Sequence, residues 1–307
     1  MPNKVYIKFH AGNAGKYIYE GYANAWKSLG YEVIYYDELE DIDSSKGSYH
    51  LMAHDTFIKS DEHIKKIENS YRTYVIAAPN EYPKPWGDHP NWRCHCPQRV
   101  IDILNGLDNV FMWCFGVDAG HHKKWKKVYY VPLAFDNIGY QPKKYSGYEH
   151  DICFVGGWAD NGFDEKRKIM TSHFEEIQKL NLKVGIFINQ NISVQDEANL
   201  LFNSKIAINL HDEYQRSLGL DVNERTFKSL GLTGFMVCDS VKEVENLFPS
   251  VPTAGNPKDF TDLVKLHIDS FKMEKHKGEL EDMKKANRKN ILDNHTYVNR
   301  IQQLLEL

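Results

Sequence analysis

Apolar residues along the chain come in short blocks whose spacing switches between two periods. Lys4–Phe9 alternates as a strand does. Tyr17–Leu29 then repeats Ile18, Tyr22, Ala25, Trp26 and Leu29 at helical spacing and ends at Gly30, a residue suited to closing a helix. Tyr31–Asp37 returns to strand spacing, so the first ~35 residues predict a βαβ unit. Tyr49–Ala53 and Tyr74–Ala78 predict two more strands with a charged helix, Asp61–Asn69, between them; Val110–Phe115 and Val128–Pro132 continue the series. Strands that alternate with helices imply an α/β fold with a mainly parallel, doubly wound sheet.

The rhythm then restarts. Asp151–Val155 predicts a strand that ends in Gly156-Gly157 and leads into a helix bearing Lys166-Arg167-Lys168. Lys183–Ile188, Lys205–Leu210 and Phe235–Cys238 predict further strands, with helices at Ala198–Asn203 and Glu224–Leu230. Pro132 and Pro142 bracket a stretch whose fixed φ angles and missing donors suit a linker, which puts a boundary near 138–148. The expected domains are 1–140 and 141–307. From Pro257 onward the pattern is charged and helical: Leu263, Leu266, Ile268 and Phe271 predict one apolar face, and Ile291, Val298, Ile301, Leu304 and Leu305 predict others that pack back on the sheets.

Composition narrows the class. The longest apolar runs, Val131–Phe135 and Phe235–Cys238, fall far short of the ~18 residues of a membrane span, and the N-terminus enters a strand without a signal-like apolar stretch. The expectation is a soluble, cytoplasmic protein. Five scattered cysteines (Cys94, Cys96, Cys114, Cys153, Cys238) form no disulfide framework and suit a reducing compartment. Cys94-His95-Cys96, with His89 nearby, invites a zinc reading, but one intervening residue is too few for paired ligands, and no metal is expected. A net charge of −4 argues against a surface built mainly for nucleic acid. The basic run His121–Lys127 is the exception and reads first as a solvated loop.

In doubly wound sheets, ligands bind outside the carboxyl ends of the strands. The segment that follows the third strand of the second half, Leu220–Asp239, is the most informative. Asn223 reads as the cap of a helix whose first amides are unpaired and whose end carries partial positive charge. Arg225 adds a planar cation suited to phosphate oxygens. An ordinary capped helix with Arg225 in a surface ion pair is the other reading, and the residues alone leave both open.

Asn223-x-Arg225-x-Phe227, then a small-residue helix, then Gly234-Phe235 and an apolar strand ending in Asp239, resembles the C-terminal donor-binding domain of GT-B glycosyltransferases, nearest the spore-maturation (CgeB-like) branch of the group 1 transferases. Asp151–Gly157 with Arg167, Ala207–His211, Val131–Asp136 and His295-Thr296-Tyr297 with Arg300 follow in that family's order. The likeness covers roughly 128–307 well and the N-terminal half in outline. It implies two Rossmann-like domains facing a central cleft. It also implies transfer of a sugar from a nucleotide sugar, with a UDP-sugar expected, to an acceptor hydroxyl. Neither a cofactor nor a metal ion is then required, and the acceptor is a glycan, protein or small molecule ahead of nucleic acid. The donor-binding residues it implies are Gly12, Gly15, Gly156, Gly157, Arg167, Asn189, Asn209, His211, Asn223, Arg225, Thr226, Phe227 and Lys228.

One departure stands out: the family carries an acid where this chain has Lys228, a residue that cannot accept hydrogen bonds from ribose hydroxyls. Lys228 keeps alive the alternative of a non-catalytic nucleotide- or sugar-binding protein. In the first half, His10, Asp55 and Glu81 each follow a strand and are the candidates for activating the acceptor, with His10 beside Gly12 and Gly15. That same loop lacks the third glycine of a dinucleotide fingerprint, so a dehydrogenase is poorly supported.

Overall fold

Each half of the chain winds its apolar blocks into its own all-parallel sheet. The computed structural model describes residues 2–9, 13–43, 47–81, 96–117, 120–158 and 165–307. The first sheet has the order β2-β1-β3-β4-β5-β6, from β1 (Lys4–Lys8), β2 (Glu32–Tyr36), β3 (His50–His54), β4 (Arg72–Ile76), β5 (Val110–Cys114) and β6 (Val128–Tyr130). The helices of this half are α1 (Asn13–Ser28), α2 (Asp61–Asn69) and α3 (Gln98–Gly106). The second sheet has the order β11-β10-β9-β7-β8, from β7 (His150–Gly156), β8 (Val184–Ile188), β9 (Ser204–Asn209), β10 (Met236–Asp239) and β11 (Thr253–Ala254). Its helices are α4 (Glu165–Gln178), α5 (Val194–Phe202), α6 (Glu213–Leu218), α7 (Glu224–Leu232), α8 (Lys242–Leu247), α9 (Pro257–Lys272) and α10 (Glu274–Asn294).

The central strands are covered on both faces, which is why they read as unbroken apolar runs. Ile206, Ala207 and Ile208 of β9 are fully buried, in a core with Phe154, Met170, Phe174, Phe260 and Ile268. The first core gathers Leu51, Val75 and Met112 with Ile64, Ile101, Leu104 and Trp125. Each large side chain so buried contributes about 1.5–3 kcal/mol.

The chain divides into Met1–Pro132 with Tyr297–Leu307, and Leu133–Thr296. The expected halves, 1–140 and 141–307, differ from this in two places. Residues 133–140 go with the second unit: Phe135 N donates to His295 O, the Phe135 ring lies 2.8 Å from where a Cβ on Gly231 would stand, and Tyr140 is buried against Glu197. The last helix, α11 (Tyr297–Leu305), goes with the first unit. There the Tyr297 ring occupies the space a side chain on Gly21 of α1 would take, and Arg300 Nε donates to Pro132 O.

Other expectations are adjusted locally. Helix α1 begins at Asn13, so Gly15 sits in its first turn and not in a loop. Leu266 is exposed; Phe260 and Val264 join Ile268 and Phe271 to form the buried face of α9. In the basic run, Trp125 is buried in the first core while Lys123, Lys124, Lys126 and Lys127 are exposed. His89, Cys94 and His95 lie outside the described residues; Cys96 is buried, and burial pushes its thiol up to about 12. No helix among the described residues is long and apolar enough to cross a membrane.

Candidate functional site

In the second sheet the chain runs outward from β7 to β8 on one side and then returns to lay β9 on the other. The carboxyl ends of β7 and β9 therefore flank the topological switch point, where such sheets hold ligands. Gly156 ends β7 and Asn209 ends β9. Helix α7 starts beside them, with Asn223 as its cap accepting from Thr226 N.

Arg225, in the first turn of α7, bridges this point. Its Nε donates to Val155 O at 3.0 Å, Nη1 lies 3.3 Å from Asn209 Oδ1, and the guanidinium stacks 4.5 Å from the Phe154 ring. Gly156 makes the position available, since a Cβ there would stand 2.1 Å from Arg225 Nη2. Burial lowers the Arg225 pKa, and Glu197, Asp212, Glu224 and Asp239 oppose that only from a distance. Among the described residues no carboxylate lies within ion-pair distance of it. Asn189, held at φ 54°, turns back over the same edge, its Oδ1 2.5 Å from where a Cβ on Gly157 would be.

Beneath Arg225 lies a closed polar network. Asn209 Nδ2 donates to Asn223 Oδ1 and to Thr226 Oγ1, each at 2.9 Å. His211 Nε2 is 3.2 Å from Thr226 Oγ1, and His211 Nδ1 donates to Asp239 Oδ1 at 2.7 Å. Asp239 Oδ2 accepts from His211 N at 2.9 Å and lies 3.5 Å from Arg216 Nε. Burial alone would raise the Asp239 carboxyl; the His211 side chain and amide, with Arg216, hold it below the usual range. His211, Cys238 and Asp239 are the described residues with metal-ligating atoms close together. Their polar atoms are engaged with one another and with Thr226.

Lys228 enters a different cluster. Its Nζ is 2.7 Å from Glu197 Oε1 and 3.5 Å from Glu224 Oε2, and Tyr140 OH donates to Glu197 Oε2 at 3.1 Å. All four residues are buried. Burial opposes the Lys228 charge, but Glu197 and Glu224 outweigh it and raise the amine well above its ordinary value. The carboxylates thus compensate the lysine that replaces the family's acid. Of the basic helix, buried Lys166 pairs with Asp212 at 2.8 Å, while Arg167 is exposed and lies over Trp158. Phe227 is buried in the core against Phe248.

The structure thus gathers Gly156, Gly157, Asn189, Asn209, His211, Asn223, Arg225 and Thr226 at one edge, and turns Arg167, Phe227 and Lys228 elsewhere. Sequence reasoning missed Lys166, Glu197, Tyr140 and Asp221, whose carboxyl burial raises to about 6. Glu197 meets Lys228 across 31 positions of sequence, a pairing no local pattern announces. Asp239 was visible as the acid closing a strand, though not its bond to His211.

In the first unit, Asp55 is buried after β3 and accepts from Ala78 N at 2.9 Å, which ties the ends of β3 and β4 together. Glu81 is exposed after β4. His10 and Gly12 lie outside the described residues.

Two parallel α/β sheets in sequence give the GT-B type of fold, and the family match makes the chain a glycosyltransferase. Residues 151–306 match the glycosyl transferase-like family, and the chain belongs to that family. No curated protein matches it in sequence. The solved structure of an alpha-glucosyltransferase in complex with UDP-glucose and DNA containing an abasic site is similar, with 13% identity, 99% of this chain and 98% of that chain covered, and a TM-score of 0.56. An alpha,alpha-trehalose-phosphate synthase (UDP-forming) from Burkholderia vietnamiensis gives 9% identity, coverage of 96% and 78%, and a TM-score of 0.49.

Proposed function

We propose that the protein transfers a sugar from a UDP-sugar to an acceptor hydroxyl without a metal ion, and that Leu133–Thr296 holds the donor. The observation that carries this reading is Arg225. A cation in the first turn of a helix opposes the helix dipole, and this one has no ion-pair partner among the described residues. Such a position is costly unless an anion is received there. A diphosphate supplies the anion, and its negative charge grows as the bond to the sugar breaks, so fixed donors at that point favour the transition state over the ground state. The free amides of α7 and the Arg225 fork are such donors. The UDP-glucose of the similar structure supports UDP as the nucleotide.

For the acceptor we assign the first unit, with His10 and Glu81 as candidates for taking the hydroxyl proton; Asp55 is already committed to Ala78 N. The acceptor itself is read as a glycan, protein or small molecule. A second reading, a nucleic-acid acceptor, is favoured by the exposed Lys123, Lys124, Lys126 and Lys127 and by the DNA of the similar structure. DNA binding that weakens steeply with salt would support it.

UDP release from UDP-glucose tests the reading. Turnover should persist in EDTA; turnover abolished by EDTA and restored by manganese would overturn the metal-free account. Arg225→Ala should weaken UDP by ~1.5–3 kcal/mol, the scale of a lost charge-assisted hydrogen bond, and uridine far less. Equal losses for both ligands would make Arg225 a structural residue.

A further inference from the structure

Resting on the donor reading above, we infer that Asp239 is a positioning residue for the diphosphate site, acting on Arg225 through His211, Thr226 and Asn209. A carboxylate only accepts, so the 2.7 Å contact with Asp239 Oδ1 puts a hydrogen on His211 Nδ1. His211 Nε2 faces Thr226 Oγ1 at 3.2 Å, and the Thr226 hydroxyl also reaches Asn223 Oδ1 at 3.2 Å, so its hydrogen is engaged on that side. This leaves the Thr226 oxygen free to accept from Asn209 Nδ2 at 2.9 Å.

That last contact fixes which way the Asn209 amide faces. Asn209 and Asn223 exchange hydrogen bonds, Nδ2 to Oδ1 in both directions, at 2.9 and 3.2 Å. A reciprocal pair of amides is equally well bonded if both flip. Thr226 removes the ambiguity: its oxygen takes the Asn209 amide hydrogen, and its main-chain N–H takes Asn223 Oδ1 at 3.1 Å. Asn209 consequently offers its oxygen, and not its NH2, to Arg225 Nη1. A flipped amide would set donor against donor and push the guanidinium off the switch point.

Asp239 is suited to anchor such a chain. It is fully buried and accepts from both the side chain and the main chain of His211, so it fixes the residue's place and the way its ring faces. Cys238 Sγ and Arg216 Nε complete its surroundings at 3.4 and 3.5 Å. Asp239 reaches the ligand only through other side chains, as the partners behind metal ligands and catalytic histidines do.

A double-mutant cycle tests the inference with UDP and uridine as probes. Asp239→Asn should weaken UDP about tenfold and uridine less than twofold. Combined with Arg225→Ala, it should cost nothing more, because its effect passes through Arg225. Losses that multiply in the double variant, or that are equal for UDP and uridine, would overturn the inference. Should Asp239→Asn fail to fold, Thr226→Val cuts the same chain one residue nearer at constant volume. It should lose UDP affinity that Thr226→Ser, with the hydroxyl kept, recovers; equal affinities in these two variants would also overturn it. A wild-type protein that bound inorganic pyrophosphate but not UDP would remove the donor reading alone, since the same cycle run with pyrophosphate still decides the role of Asp239.

Discussion

The two edges of the second sheet each bury a lysine, and they hold it by opposite means. At the carboxyl edge Lys228 lies against Glu197 and Glu224, and these carboxylates keep it protonated against the cost of burial. At the amino edge Lys284 is fully buried and donates to Ser204 O and Lys205 O, each at 3.1 Å. With no carboxylate within ion-pair distance among the described residues, burial pushes its amine down to about 7. Helix α7 repeats the contrast along its own axis. At its C-terminus Arg288 donates to Leu232 O and Thr233 O, a favourable place for a cation, while Arg225 at its N-terminus opposes the dipole. The amino edge sets its cations against main-chain carbonyls. At the carboxyl edge Arg225 alone of these cations has no carboxylate within ion-pair distance among the described residues.

Removing each lysine should separate the two edges. Lys228→Met leaves Glu197 and Glu224 buried without their cation, and the loss of one partner of a buried pair costs about 3–5 kcal/mol. Urea unfolding at pH 7 should therefore show the largest destabilisation in this set. A loss below ~1 kcal/mol would make the carboxyl-edge cluster no more tightly balanced than a surface pair.

Lys284→Met should act through pH. The folded amine, at about 7, lies below its unfolded value of ~10.4, so between these limits the unfolded chain binds the extra proton and stability climbs as pH rises. The wild type should gain roughly 3 kcal/mol over the variant between pH 6.5 and 9.5. Parallel pH–stability curves would mean that Lys284 stays charged in the fold and that the edges do not differ in this respect.

How much of this was legible in sequence follows from the range of the interactions. Strand and helix periods gave β7, β9 and α7 within a residue or two, because each is encoded by neighbours in the chain. Asn223 as a cap and the place of Arg225 in the first turn of α7 were readable for the same reason. Lys228 was not: its partner Glu197 lies on α5, so a lysine read as a ligand-facing donor turns into a compensated core charge. Arg167 and Lys166 stand side by side in sequence, and only the packing of α4 decides that Lys166 meets Asp212 while Arg167 faces solvent. The return of α11 to the first unit depends on a ring fitting over Gly21, 276 positions away, which no periodicity contains.

The smallest expected effect on the fold, and the sharpest on the comparison, comes from Gly156, with Gly234 as its contrast at the other edge. Gly156 is a glycine because the Arg225 guanidinium occupies the space of a side chain, with Nη2, Cζ and Nε at 2.1, 2.6 and 2.7 Å from a Cβ placed there. These atoms are the far end of a flexible side chain and can swing away. Gly156→Ala should therefore fold, with an unfolding midpoint equal to or slightly above the wild type from the lower entropy of the unfolded chain. Its UDP affinity should fall about tenfold, the scale of one charge-assisted hydrogen bond, while uridine binds as before. Gly234, near the amino edge, is a glycine for a different reason. It sits at φ 78°, and a Cβ would meet the main-chain oxygen of Lys284 at 2.5 Å, which cannot move without displacing α10. Gly234→Ala should lose stability through that contact and through backbone strain, and the folded fraction should bind UDP with unchanged affinity. Isothermal titration beside thermal unfolding separates the two outcomes. A Gly156→Ala protein that melts early and binds UDP normally would place Arg225 among the structural cations with Arg288, and the contrast between the edges would fall.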